Sequence, residues 1–240
     1  MSRIYEALKR GEALEASRRS LLPVASHGAA SVDLVAEGYQ RVLHTAQARC
    51  GAESRGTLLF VSATHGEGTS TVAREFAILL AREGAKHVVL LDANLRTPSQ
   101  HKAFAVERGD GLTEVVVRGL ALDAVVRNGN GTPVPLVTCG RPASHPTEIL
   151  SSPQLRAALQ GLRERYDWVI ADAPPATVYS DAGILGSLME ATVLVVQAER
   201  TRWQVADQAK RNLEESGARL LGAVLNRRRF HIPQALYELL

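Results

Sequence analysis

Short apolar runs alternate with segments of helical periodicity over most of this chain. The runs, rich in Val, Leu and Ile, predict strands over residues 57–61, 87–91, 134–138, 167–171, 191–197 and 220–225. Apolar residues at helical spacing predict helices over residues 32–48, 70–83, 112–118, 121–127, 152–165, 181–188 and 202–216. Because nearly continuous apolar strands are buried on both faces, this alternation predicts an α/β fold with a doubly wound, mostly parallel sheet.

The first 31 residues follow a different pattern. Residues 2–19 have Ile4, Ala7 and Leu8 on one side of a predicted amphipathic helix. Residues 20–31 are rich in small residues and predict a linker. We therefore expect an N-terminal helical extension over residues 1–31 and one α/β domain over residues 32–240.

The bulk composition excludes several classes of protein. The chain has 240 residues, of which 45% are hydrophobic and 22% are charged, as in ordinary soluble domains. No apolar stretch reaches the ~18–20 residues that span a bilayer. The net charge of +3 comes without any nucleic-acid-reading motif, so we expect no nucleic-acid partner. Cys50 and Cys139 lack metal or redox spacing and indicate reduced, cytoplasmic thiols.

A glycine-rich loop lies between the strand at 57–61 and the helix at 70–83. This phosphate loop, residues 62–71, reads Ser-Ala-Thr-His-Gly-Glu-Gly-Thr-Ser-Thr. Its glycines allow successive N–H groups and the helix N-terminus to face one anion. The residues expected to bind a nucleotide here are Gly66, Glu67, Gly68, Thr69, Ser70 and Thr71. The usual loop has a Lys after the second glycine, where this chain has Thr69.

Polar residues end three further predicted strands. Asp92, Asp172 and Asn226 each follow an apolar run. Ligands of doubly wound sheets bind at the carboxyl ends of the strands, so we expect these residues to lie near the phosphate loop. The hydroxyl of Ser70 and the carboxylates of Asp92 and Asp172 are the ligands predicted for Mg²⁺.

Several of these motifs resemble those of the bacterial tyrosine kinases, which are cytoplasmic P-loop NTPases of the deviant Walker type. The resemblance covers nearly the whole chain, and its motifs together are specific. The segments that carry it are Glu-Gly-Tyr-Gln-Arg-Val-Leu at 37–43, Val-Leu-Leu-Asp-Ala-Asn-Leu-Arg-Thr-Pro at 89–98, His-Pro-Thr-Glu-Ile-Leu at 145–150, Trp-Val-Ile-Ala-Asp-Ala-Pro-Pro at 168–175 and Gly-Ala-Val-Leu-Asn at 222–226.

The resemblance implies roles for individual residues. Members of the family hold Mg-ATP, and the position of Asn226 contacts adenine. The acids at positions 92 and 94 hold the metal and activate the attacking tyrosine. Glu37 and Arg41 would lie in an interface of a homo- or hetero-oligomer. The family also implies peripheral association with the inner membrane through a polysaccharide co-polymerase.

Three positions depart from the family pattern. Thr69 replaces the lysine of the loop, Asn94 replaces the second aspartate, and Tyr237 is the single candidate phosphosite where the family has a tyrosine cluster. Each change removes a different part of phosphotransfer. We therefore expect a catalytically impaired, pseudokinase-like subunit that binds ATP or ADP and Mg²⁺ weakly or not at all. Its partner would be a co-polymerase or an active kinase of the same family.

Two alternatives remain open. One is a working autokinase in which Lys86, Lys102, an arginine of residues 227–229 or a lysine from a neighbouring subunit replaces the missing charge. The other is a positioning ATPase of the partition and septum-placement class. The segments at 37–43 and 145–150 argue against that second alternative, as does the absence of an additional lysine near the start of the loop.

Overall fold

One sheet of eight strands forms the centre of the described part of the chain. The computed structural model describes residues 21–25, 31–50, 55–82, 87–129 and 131–228. The strands are β1 (Leu21–Ala25), β2 (Gly56–Ser62), β3 (Val88–Asp92), β4 (Val126–Asn128), β5 (Pro135–Val137), β6 (Trp168–Asp172), β7 (Ala191–Gln197) and β8 (Leu220–Arg228). Their order is β1-β8-β7-β2-β6-β3-β5-β4, and only the β4–β5 pair is antiparallel. The predicted doubly wound, mostly parallel sheet is confirmed.

Helices connect the strands and cover both faces of the sheet. They are α1 (Ser31–Cys50), α2 (Thr69–Arg82), α3 (Gln100–Ala103), α4 (Leu112–Arg118), α5 (Leu122–Val125), α6 (Pro146–Ser151), α7 (Pro153–Arg165), α8 (Asp181–Leu188) and α9 (Trp203–Glu215). Among the described residues, no helix is both long enough and apolar enough to cross a membrane.

Successive side chains of the central strands pack alternately into two hydrophobic clusters, one on each face of the sheet. In β2, Leu59 and Val61 pack into one cluster with α4, α7 and α8, whereas Leu58 and Phe60 pack into the other with α1 and α2. All seven residues of β2 are buried. Burial on both faces explains why these strands are continuous apolar runs in the sequence and do not alternate with polar residues.

The predicted linker is wrong at residues 21–25, which form the edge strand β1. This strand pairs in parallel with β8, where Leu21 lies opposite Ala223. Pro23 made the segment resemble a linker, but proline is tolerated on an edge strand because one side of that strand needs no N–H donors. The predicted helix at 2–19 and Tyr237 lie outside the described residues.

Other differences concern the ends of elements. The predicted helix at 121–127 ends at Val125, and the chain continues directly into β4, which pairs with β5. The stretch at 145–150 forms α6, which the sequence analysis did not predict as a helix. Helix α7 begins after it because Ser152 caps the Leu155 N–H and Pro153 occupies the first helical position.

The sheet brings the predicted functional residues to one edge. Strands β3 and β6 run in parallel register, so Asp92 lies directly opposite Asp172. Strand β2 is the other neighbour of β6, and its carboxyl end leads into the phosphate loop. Asn226 lies opposite Gln197 at the carboxyl end of β7. The carboxyl-terminal parts of β2, β3, β6 and β8 therefore surround one site.

Phe76 is the residue through which α2 packs on the core. It is fully buried, with its ring centroid 5.2 Å from that of Phe60 and 6.1 Å from that of Tyr39 on α1. We expect Phe76→Ala to lower the free energy of unfolding by about 3–5 kcal/mol, because it leaves a cavity between α1, α2 and β2. Urea unfolding followed by circular dichroism measures this.

Val117→Ala is the matched control for Phe76→Ala, because Val117 is 64% exposed. It should change the unfolding free energy by less than about 0.5 kcal/mol. An equal effect of the two substitutions would contradict the assigned packing of α2.

Candidate nucleotide site

The phosphate loop is held in its turn by two glycines with positive φ. Gly66 has a φ of 83° and Gly68 has a φ of 88°, a region that favours glycine. A side chain at Gly68 would also collide with the amide of Asn226. The Gly68 carbonyl accepts the N–H groups of Thr71 and Val72 at 3.1 and 3.0 Å, which begins helix α2. The loop therefore leads into a helix N-terminus, the geometry that binds phosphate.

Glu67 braces the loop from within. Its side chain is buried, and one carboxylate oxygen accepts the Thr64 N–H at 2.8 Å. The other oxygen accepts the hydroxyl of Thr201, which lies after β7. The Glu67 side chain, predicted to bind the nucleotide, thus makes its hydrogen bonds to the protein.

Thr69 is buried at the first position of α2. It is 6% exposed, and its hydroxyl has no hydrogen-bond partner in the described structure. The adjacent cavity has a volume of about 190 Å³. It is lined by Ser62, His65, Gly66, Glu67, Gly68, Thr69, Ser70, Thr71, Asn94, Thr97, Ala173, Pro175 and Arg227. Arg227 is the single Lys or Arg among these lining residues.

Asp92 and Asp172, here called the acid pair, are both fully buried beside the cavity. Burial raises the pKa of each carboxyl, and the neighbouring Asp172 charge raises the pKa of Asp92 further. Hydrogen bonds from Ser70 and Gln100 partly oppose the rise in the pKa of Asp172. Two like charges this close favour one retained proton when no cation is bound.

Gln100 is a site residue that the sequence analysis missed. It is fully buried, and its backbone N–H donates to Asp92 Oδ2 at 3.1 Å. Its side-chain Nε2 donates to Asp172 Oδ2 at 2.8 Å and to the Ser70 carbonyl at 2.9 Å. Gln100 thereby joins both acids to the start of α2. A lone glutamine after a turn gave no signal of this role, which depends on contacts across the sheet.

The residues present fit a Mg²⁺ ion. The Oδ1 atoms of Asp92 and Asp172 are buried without a hydrogen-bond partner, and the Ser70 hydroxyl bonds Asp172. Magnesium binds nucleotides through one or two carboxylates together with phosphate oxygens and water, so this donor set is sufficient. Among the described residues, no group of three or more His, Cys, Asp or Glu side chains forms a separate metal site.

Asn94 lies on the cavity wall but holds a turn. Its Oδ1 accepts the Thr97 N–H at 3.0 Å, and its Nδ2 bonds the Thr97 hydroxyl at 3.2 Å. An aspartate could accept the same backbone N–H, so the turn does not require an amide. Asn94 preserves the local geometry but has no charge.

An ion pair between the half-buried Arg96 and the buried Asp181 joins the segments at 89–98 and 145–150 to the start of α8. Arg96 contacts both carboxylate oxygens of Asp181, at 2.8 and 3.1 Å, and the hydroxyl of Thr147 at 2.9 Å. Asp181 is fully buried, and the guanidinium lies 4.6 Å from the ring centroid of Tyr179. The hydrogen bond to Asp181 raises the pKa of Arg96. This pairing was not predicted from the sequence, although the segments that contain Arg96 and Thr147 were both identified as motifs.

Asn226 and Arg227 connect β8 to the phosphate loop. Asn226 Nδ2 donates to the Glu67 carbonyl at 2.8 Å, and its Oδ1 accepts the Arg227 N–H at 2.9 Å. Arg227 Nη1 donates to the Gly66 carbonyl at 3.1 Å. Asn226 therefore lies at the predicted site.

The remaining candidates lie elsewhere. Arg41 is exposed on α1, and Lys102 is exposed on α3 without lining the cavity. Glu37 is on α1, but its side chain lies outside the described part. Lys86 and Arg229 also lie outside the described residues. Of the described residues considered as replacements for the loop lysine, Arg227 is the one that lines the cavity.

Comparisons with known proteins agree with this geometry. Residues 54–238 match the family model described as "ParA: NUBPL iron-transfer P-loop NTPase". The chain is 36% identical over 170 residues to tyrosine-protein kinase YwqD of Bacillus subtilis (strain 168), covering 71% of each protein. It is 30% identical over 192 residues to tyrosine-protein kinase CpsD of Streptococcus agalactiae, covering 80% of this chain and 83% of that protein.

Two solved structures are similar to this chain in fold. The kinase domain of Escherichia coli tyrosine kinase ETK is similar with a TM-score of 0.77 and 25% identity, covering 85% of this chain and 78% of that one. The cell division ATPase MinD of Pyrococcus furiosus has a TM-score of 0.61 and 19% identity, covering 77% of this chain and 78% of its own, and shares the fold.

The raised pKa values of the acid pair predict how stability depends on pH in metal-free protein. A carboxyl whose pKa is higher in the folded state stabilises the fold fully below its unfolded pKa, about 3.9. That contribution is lost as the pH rises through the folded pKa. Between about pH 5 and pH 8 we therefore expect this pair to lower the unfolding free energy as the pH rises.

Denaturant unfolding of the unaltered chain and of Asp92→Asn across this pH range checks the prediction. The variant cannot place two charges in the pair, so its stability should fall less as the pH rises. If the unfolding free energies of the two proteins changed in parallel with pH, the acid pair would not be the source of the pH dependence.

Proposed function

Because the chain belongs to the bacterial tyrosine-kinase family, we propose that it is a catalytically impaired regulatory subunit of exopolysaccharide or capsule assembly. It would act in the cytoplasm, oligomerise, and bind a membrane polysaccharide co-polymerase or an active kinase of the same family. The name of one relative, a putative tyrosine-protein kinase in the cps region of Klebsiella pneumoniae, supports the pathway. A structurally similar protein is the chimerical CapA2B2, which supports action together with a second protein.

The observation that carries the proposal is Thr69. A buried threonine with an unpartnered hydroxyl stands where the family has the lysine that contacts the β- and γ-phosphates. Loss of one charge-assisted phosphate contact weakens binding by roughly 1.5–3 kcal/mol. Where such a contact acts mainly in the transition state, its removal lowers the rate by about 10²–10³.

Asn94, which lines the same cavity, supports the same conclusion. The family aspartate at this position activates the attacking tyrosine, and a neutral amide cannot accept a proton in its place. Asn94 makes its hydrogen bonds within the turn to Thr97. The substitution therefore keeps the shape of the site and removes a general base.

The parts of the site that bind a nucleotide are present. The loop amides and the start of α2 would bind phosphates, and Ser70, Asp92 and Asp172 would hold Mg²⁺. When bound, the ion would supply positive charge that offsets the charge of the phosphate oxygens. Gln100 positions both acids through one hydrogen bond to each, and a third hydrogen bond joins it to the Ser70 carbonyl. The proposed subunit therefore retains a nucleotide site and lacks groups needed for transfer.

A working autokinase is the second candidate, and Arg227 is the observation that favours it. Its guanidinium contacts the loop and lines the cavity. A positioning ATPase is less well supported, since the similarity to MinD extends to the fold at 19% identity.

Purified protein incubated with Mg-ATP should form no phosphotyrosine, because the loop lysine and the second acid are absent. Immunodetection and labelling from γ-phosphate-labelled ATP measure this, with an active family member as the positive control. The double variant Thr69→Lys, Asn94→Asp should bind Mg-ATP more tightly than the unaltered chain. Ready labelling of the unaltered chain would instead support the autokinase.

Helix α1 carries the proposed oligomer interface. Tyr39, Val42 and Leu43 on its inner side are buried in the core, whereas Arg41 is exposed. If α1 forms the interface, Arg41→Glu should reduce the oligomer mass measured by light scattering, because the substitution reverses a charge at the contact. Arg156→Glu, at an exposed position of α7, makes the same charge change elsewhere and should leave the mass unchanged. The same mass for both variants would exclude Arg41 from the interface.

A further inference from the structure

We propose that Arg227 supplies the positive charge for phosphate binding that Thr69 cannot supply. The cation of the site would then come from the end of β8, not from the loop itself. This inference rests on the proposed nucleotide site and adds to it a specific phosphate-binding residue. It concerns binding, and it is independent of whether phosphotransfer occurs.

The contacts of Arg227 hold its guanidinium against the loop. Nη1 donates to the Gly66 carbonyl at 3.1 Å and to Gln197 Oε1 at 3.3 Å. Nε lies 3.8 Å from the point that a Cβ on Gly68 would occupy. The charge is thus anchored beside the two glycines that shape the phosphate-binding turn.

The backbone at Arg227 adopts a conformation that directs the side chain to this place. Its φ is 56°, in the left-handed region that residues other than glycine rarely adopt. The Asn226 side chain supports this conformation, since its Oδ1 accepts the Arg227 N–H and its Nδ2 donates to the Glu67 carbonyl. Backbone strain of this kind is found preferentially at functional sites, where surrounding contacts maintain it.

The charge of Arg227 is not neutralised by the described part of the protein. Both acceptors of its hydrogen bonds, the Gly66 carbonyl and the Gln197 amide oxygen, are neutral. Glu67, the acidic residue of the loop, uses its carboxylate for Thr64 and Thr201. A guanidinium has five N–H donors, and only Nη1 donates to a described residue here. Donors therefore remain for an anion in the cavity.

Phosphate is the ligand chemistry that this arrangement fits. Guanidinium groups bind phosphate oxygens through two parallel hydrogen bonds, and loop amides with a helix N-terminus bind the same anion. The expected ligands are nucleoside di- and triphosphates. Because Arg227 would contact the phosphates, its removal should weaken the binding of ADP and ATP. The binding of uncharged adenosine should be unchanged.

Calorimetric titration of the purified chain with ADP, ATP and adenosine tests the proposal. Arg227→Gln should weaken ADP and ATP binding about 10-fold or more. Arg227→Lys should retain part of the affinity, since it keeps the charge without the planar fork. Arg228→Gln removes the same charge one residue along the strand and should bind as the unaltered chain does. Thermal melts establish that each variant is folded.

A second comparison tests whether the two positions supply the same charge. If Arg227 replaces the loop lysine, Thr69→Lys should restore ADP affinity in the Arg227→Gln background. The same Thr69→Lys substitution should increase the ADP affinity less in the unaltered background, where the arginine is already present. Equal gains in the two backgrounds would show that the two charges act independently and would overturn the proposal.

Three further results would also overturn it. They are unchanged ADP affinity in Arg227→Gln, equal losses for ADP and adenosine, and no detectable ADP or ATP binding by the unaltered chain. The last result would leave the proposed regulatory role intact. Conversely, tyrosine labelling of the unaltered chain would contradict catalytic impairment without affecting the assignment of Arg227.

Discussion

The parallel register of β3 and β6 places two fully buried carboxylates, Asp92 and Asp172, opposite each other at the centre of the site. Water cannot stabilise these charges, so the surrounding groups must do so. Gln100 donates to one oxygen of each acid, and the second oxygen of each remains unpartnered. The arrangement requires either a retained proton or a cation, and this requirement explains the raised pKa values.

The proposed function depends on which of the family's functional groups this chain has and which it lacks. In the proposed function, the acid pair and Ser70 would hold Mg²⁺, and the loop glycines have the conformation that suits phosphate binding. Thr69 and Asn94 fill the positions of the two groups that the family uses in transfer. Thr69 begins α2, and Asn94 holds the turn to Thr97. The proposed function is therefore that of a site that binds a nucleotide and lacks groups that phosphotransfer requires.

Much of the fold follows from local pattern. Strands such as β2 and β6 are buried on both faces, so their apolar runs identify them without tertiary information. The strand-end acids were also predictable, because Asp92 and Asp172 follow such runs directly. The edge strand β1 was missed, since Pro23 and the small residues around it carry the signal of a linker.

The contacts that complete the site join residues distant in sequence. Gln100 meets Asp172 across 72 positions, and Arg96 meets Asp181 across 85. Arg227 meets Gly66 across 161 positions, so its proposed role depends on β8 lying where the sheet order places it. No periodicity or spacing encodes these pairs. The sequence analysis considered Arg227 among several charges, and only the fold distinguishes it from Lys102.

The central claim is that this site binds a nucleotide without transferring its phosphate. Equilibrium dialysis with Mg-ATP, followed by chromatographic analysis of the bound nucleotide, tests both parts in one sample. The account predicts saturable binding and recovery of the ligand as intact ATP, with no phosphate on the protein. Recovery of ADP together with phosphotyrosine on the chain would contradict it.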